Sequence, residues 1–209
     1  MQPELHLAFP TPILTVKVDR HKEIKEAYVN KCREMFADNP NHKPLWSRGE
    51  HAWTIFCDDY PEMDCWDDQM SQCVRDYIAY ITGTYPEYEL GIDSWVNVHD
   101  STMYQNDHEH FGSIVSGIYY VKLDPVKDYP TCFVNPARMG METWGKLNGF
   151  NSFQIKNEAC AMDTFPNMLN LTEGTLILFP PHLCHLVPRS KVQHDDLRIT
   201  YVFNIERKR

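Results

Sequence analysis

Long apolar runs are missing from this 209-residue chain. No stretch of about eighteen consecutive apolar residues exists, so a membrane-spanning helix is not expected. Basic clusters are scarce too. The formal net charge is −9, and the one basic run is the terminal Arg207-Lys208-Arg209. Binding a phosphate backbone requires clustered Lys and Arg, so nucleic acid is not an expected partner. The seven cysteines (Cys32, Cys57, Cys65, Cys73, Cys132, Cys160 and Cys184) include no C-x-x-C pair. Their odd number and spacing fit neither a zinc knuckle nor a disulfide frame. The opening "MQPELHLAFPTPILTVKV" lacks the basic and continuous apolar regions of a signal peptide. Reduced thiols in a cytoplasmic compartment are therefore the expectation. Repeats and low-complexity tracts are absent as well. What remains, 43% apolar and 23% charged residues, is the composition of a globular protein, read as one domain over residues 1–209.

The chain changes grammar partway along. "LAFPTPILTVKVD" reads as one or two β-strands, with Pro10 and Pro12 confining them to an edge or bend. "HKEIKEAYVNKCREMFADN" carries Ile24, Ala27, Tyr28, Cys32 and Met35 at helical spacing and stops at Asn39-Pro40. A polar connection through "WSRGEHAWTIFCDDYPEM" follows. A second helix is expected from Asp64 to Thr82, through Trp66, Met70, Cys73, Tyr77 and Ile81, with Gly83 as terminator. Beyond residue 90 the segments "DSWVNVHD", "SIVSGIYYVKL", "TCFVNP", "GTLILFPP" and "LRITYVFNIE" are short, β-rich and bounded by turn residues. Helices first and strands afterwards, without alternation, exclude a doubly wound parallel sheet. They predict a mainly β fold with helices packed outside, an antiparallel sandwich or barrel. Residues 138–170 interrupt the strands with a loop long enough to serve as a lid, in which Trp144 is a candidate stacking residue.

"DHEHFGSIVSGIYYV" places His108 and His110 two residues apart at the start of an apolar strand. In extended chain such residues share a face, about 6–7 Å apart, and can reach one ion. A third ligand must come from elsewhere, and His185, just past the apolar strand Thr175–Phe179, is the best candidate. Three ligands on one face leave positions open for substrate. Arg198 and Thr200 then share a face of the last strand, where a guanidinium and a hydroxyl make a carboxylate receptor. A buried Arg without an anion is costly, so an anionic partner is expected. The remaining histidines (His6, His21, His42, His51, His99, His182 and His194) are assigned to surface or packing, with His182 able to replace or assist His185. Asp107 or Glu109 could contribute a carboxylate if the strand ends in a bulge. The literal H-x-D at His194-Asp195-Asp196 reads as loop charge.

The order "WVNV", H-x-H with "SGIYYV", "GTLILFPPHLCH" and "RITYVFNI" resembles the Fe(II)- and 2-oxoglutarate-dependent oxygenases. More narrowly it is similar to a prolyl-hydroxylase-like group with an H-x-H first motif. The resemblance implies a double-stranded β-helix, or jelly roll, mainly over residues 91–209, with the N-terminal strand and helices over 1–90. It implies a metal held by His108, His110 and His185, and the far carboxylate of 2-oxoglutarate on Arg198 and Thr200. Asn97, Tyr104 and Tyr120 would line the cosubstrate pocket. The implied cofactors are Fe(II), 2-oxoglutarate and O2. The implied reaction couples oxidative decarboxylation of 2-oxoglutarate to hydroxylation of an organic or peptide substrate. Most of the superfamily has H-x-D where this chain has H-x-H, which removes one negative charge from the site. Two rivals follow from that departure: a jelly-roll binding domain without catalysis, and a cupin-like three-histidine metal enzyme that does not use 2-oxoglutarate.

Overall fold

The computed structural model describes residues 11–38, 52–136, 169 and 171–208. In chain order the elements are β1 (Leu14–Lys17), α1 (His21–Asp38), β2 (Trp53–Phe56), α2 (Asp68–Thr82), β3 (Leu90–His99), β4 (Gln105–His108), β5 (Val115–Lys122), β6 (Cys132–Phe133), β7 (Thr175–Phe179), β8 (His185–Val187) and β9 (Arg198–Arg207). They form a six-stranded sheet, ordered β1-β7-β5-β9-β3-β2, and a three-stranded sheet, ordered β4-β8-β6. Every described pairing is antiparallel. This is the expected mainly β fold, a jelly roll with helices outside.

The large sheet is apolar on both faces, which is why β5, β7 and β9 read as continuous apolar runs instead of alternating ones. One face carries Val96, Val98, Tyr119, Leu176, Leu178, Tyr201 and Phe203, covered by Ile24, Tyr28 and Cys32 of α1 and Met70, Val74, Tyr77 and Ile78 of α2. The other face holds a smaller core, Trp95, Ile118, Ile177, Phe179 and Val202, packed with Phe133 and Leu183 from the small-sheet side. Among the described residues, the helices cover the first face.

Helix α2 begins later than the spacing alone predicts. Asp67 takes the N-cap, its carboxylate accepting from the Met70 N–H, and Gly83 closes the helix with φ of 81°. Trp66 therefore precedes the helix and packs edge-on against Phe203, while Val74 and Ile78 fill the buried stripe and Ile81 is exposed. β2 corrects the reading of Trp53–Phe56 as part of a polar connection. These four residues pair with β3 at the sheet edge, and their burial on both faces removes the alternation that would have marked a strand. The expected helix stop at Asn39-Pro40 lies outside the described residues, as does nearly all of the expected lid, including Trp144. No described helix is long and apolar enough to cross a membrane.

Candidate metal centre

β4 and β8 bring the histidines together. His108 and His185 are directly opposed in the small sheet, and the register shifts between Gln105 and His108. His110 lies just beyond β4, its backbone N–H bonded to the Pro181 carbonyl at 2.8 Å. The three ring centroids are 4.3 Å (His108 to His185), 5.0 Å (His110 to His185) and 5.3 Å (His108 to His110) apart. One donor atom from each lies within 4.8 Å of the other two, and among the described residues no carboxylate oxygen belongs to the group. Asp107 and Glu109 are exposed, as is His182. His194 sits apart, bonded to Asp128 at 3.0 Å.

Two local hydrogen bonds settle which nitrogens face inward. His108 Nδ1 donates to the Asn106 carbonyl at 2.7 Å, and His185 Nδ1 donates to the Leu183 carbonyl at 2.9 Å. Each neutral ring then presents an Nε2 lone pair, the arrangement that backbone partners impose on metal-binding histidines. His110 Nε2 stands 3.3 Å from His185 Nε2, close to the roughly 3 Å between neighbouring donors on one cation with bonds of about 2.1 Å. Burial pushes His110 down to about 4, with His108 adding to the shift and Asn204 opposing it. Burial likewise holds His185 well below the ordinary histidine range. Neutral rings are what a metal ligand needs. The donor set fits a divalent transition metal.

Behind the histidines a cavity of about 250 Å³ runs along the inner face of the large sheet. Its wall is laid out in rows set by strand register. Trp95, Val202 and Ile118 make an apolar belt, Asn97, Thr200 and Tyr120 a polar row, and His99 with Arg198 the last row. The buried Arg198 donates through Nη1 to the Tyr129 carbonyl at 2.7 Å and the Pro188 carbonyl at 3.5 Å. Its Nη2 is buried without a partner, and among the described residues no carboxylate forms an ion pair with it. Asp128, the carboxylate that most favours its charge, is occupied by Ser190 at 2.6 Å and by His194. Burial lowers the guanidinium to about 10. Tyr120 accepts a bond from the Thr131 N–H at 3.1 Å and also meets the Thr131 hydroxyl. Burial raises that phenol to about 12, so it stays a donor. Asn97 accepts from Thr54 Oγ1 at 2.9 Å.

Of the residues singled out in the sequence, His108, His110, His185, Arg198, Thr200, Asn97 and Tyr120 all line this cavity. Tyr104 is not brought to it. Its ring lies under Arg189, 5.0 Å from the guanidinium carbon, beside a separate surface groove. His99, assigned to surface or packing, instead faces the cavity. The alternation Trp95-x-Asn97-x-His99 was the available signal for it.

A family model described as "Putative 2OG-Fe(II) oxygenase" matches residues 93–204, more than half of the chain. Among solved structures, a Pseudomonas putida prolyl-4-hydroxylase is similar at TM-score 0.54 and 12% identity, covering 95% of this chain and 94% of its own. HygX from Streptomyces hygroscopicus, solved with nickel and 2-oxoglutarate, is similar at TM-score 0.56 and 12% identity, covering 95% and 84%. EvdO2 from Micromonospora carbonacea var. aurantiaca, complexed with 2-oxoglutarate, is similar at TM-score 0.55 and 12% identity, covering 95% and 87%. At such identities the likeness is one of fold. A search of curated proteins finds no match.

Proposed function

Because the chain belongs to the 2OG-Fe(II) oxygenase family, we propose that it is a 2-oxoglutarate-dependent dioxygenase that hydroxylates an organic or peptide substrate, built as one domain. His108, His110 and His185 would hold Fe(II). Arg198, Thr200 and Tyr120 would receive the far carboxylate of 2-oxoglutarate. The observation that carries the reading is the unpartnered Arg198 Nη2 at the end of a cavity that also contains the three histidines. A buried guanidinium in that state demands an anion.

Iron held by these histidines would supply oxygen activation with 2-oxoglutarate and O2, giving succinate, CO2 and an oxygen atom inserted into a substrate C–H bond. The protein's own residues supply orientation and exclusion. Trp95, Ile118 and Val202 form an apolar belt beside the polar row of the cavity wall, which would hinder water from competing for open metal positions. Asn97 and Thr200 sit opposed in the row between the belt and Arg198; a linear diacid would lie with its keto-acid end at the histidines and its plain carboxylate at Arg198.

The test is 2-oxoglutarate-dependent succinate formation by the iron-loaded protein under oxygen. Wild-type protein should form succinate, and Arg198→Met should not. The all-histidine donor set favours a second reading, a three-histidine enzyme that does not use 2-oxoglutarate. In that case Arg198→Met would retain metal-dependent oxygen consumption and neither protein would make succinate.

A further inference from the structure

We propose that His99 is a specificity-determining residue of this cavity, a second donor to the far carboxylate of a 2-oxo diacid, by which the site discriminates against 2-oxo monoacids. The inference rests on the 2-oxoglutarate reading above and adds a residue to it.

His99 is 2% exposed, yet among the described residues neither of its buried ring nitrogens has a hydrogen-bond partner. A side chain kept only to fill space would not leave two polar atoms unmet where Phe or Leu would leave none. Its position explains the anomaly. His99 is the direct cross-strand partner of Arg198, and both line the cavity with Tyr120 and Thr200. A neutral imidazole always carries one N–H. Burial, reinforced by the Arg198 charge, keeps this one neutral, so it adds a donor without adding a second positive charge. Two neighbouring strands thus present two unmet donors, the His99 N–H on β3 and the Arg198 Nη2 on β9, with the Tyr120 side chain on β5 lining the same cavity. No described acceptor answers them. One carboxylate, with about four lone-pair sites on two oxygens, can take both. A monoacid leaves both of them empty.

The test compares equilibrium binding of two probes to Mn(II)-loaded protein without oxygen. One is 2-oxoglutarate; the other is 2-oxobutyrate, which has the same keto-acid end and no far carboxylate. Four variants are titrated beside wild type: His99→Phe, His99→Leu, His99→Gln and Arg198→Met. Loss of one charge-assisted hydrogen bond predicts that the Phe and Leu variants bind 2-oxoglutarate roughly tenfold or more weakly, with 2-oxobutyrate affinity unchanged. Gln restores an N–H donor and should recover most of the loss. Metal-free thermal unfolding of the Phe variant should match or exceed wild type, since two unmet polar atoms are removed. Equal weakening of both probes, or a Gln variant no better than Phe, would show a packing role and overturn the proposal. If wild type and Arg198→Met bind 2-oxoglutarate equally, the underlying reading fails; if only Arg198→Met weakens it, that reading stands and the role of His99 falls.

Discussion

His185 has the most to do of any single side chain here. It is buried, opposed to His108 across the small sheet, and its Nδ1 is tied to the Leu183 carbonyl. With its tautomer set in advance, binding a metal costs little further ordering of the ring. His185→Ala should lower Fe(II) or Co(II) affinity by at least about 100-fold, measured by anaerobic titration; affinity within threefold of wild type would remove His185 from the ligand set. A second expectation concerns protons. His99 is held well below its ordinary value of 6.5, first by burial and then by Arg198. Below that pH the unfolded chain takes up a proton that the folded one refuses, so stability must fall as pH falls. The metal-free protein should show a urea midpoint that is flat from pH 8 to 7 and drops from 6.5 towards 5. His99→Phe should shrink that drop, and a midpoint insensitive to pH down to 5 in wild type would contradict the argument.

Among the elements, β5 and β9 set the tolerances of the whole sheet. Gly117 on β5 is paired with Phe203 on β9, and a Cβ at Gly117 would lie 2.1 Å from the Phe203 ring. That ring is fully buried under the helices, wedged against Trp66 and Tyr201. Glycine in "SGIYYV" is thus a packing requirement, not a turn signal. Gly117→Ala should destabilise the protein by about 1–3 kcal/mol, seen as a lowered denaturation midpoint with an unchanged slope. A midpoint equal to wild type would mean that Phe203 can move. β4 and β8 behave differently. "QNDH" has no apolar residue and "HLV" is three residues long, so neither announces a strand by pattern. Pairing between them, rather than propensity within them, makes the strands, which is why β4 and β8 were not legible while β3, β5, β6, β7 and β9 were.

At the scale of the whole molecule, two cores share one large sheet, and the cavity lies on the face with the smaller core. The cavity side is therefore the less heavily packed side, and if the proposed ligands bind there, occupancy should stabilise the fold by mass action. Each ligand, metal or diacid, at about 100 times its dissociation constant adds roughly 2.7 kcal/mol, or about 5–10 °C in Tm for a chain of this size. Differential scanning calorimetry with Mn(II) and 2-oxoglutarate should show this rise in wild type and not in His185→Ala. An equal rise in both would mean that the ions bind elsewhere.

The linear chain already contained the fold class, both helices, the four long strands and the short list of histidines and Arg198. Hydrophobic period and residue chemistry are local properties that survive in a string of letters. Folding had to supply the rest. Cross-strand register put His185 opposite His108 and His99 opposite Arg198, sent Tyr104 to a different surface, and left Asp128 already engaged by Ser190 and His194. Which polar groups end up satisfied, and which wait for a ligand, depends on neighbours far apart in the chain. A residue's type says what it can bond; only its surroundings say whether that bond is already made.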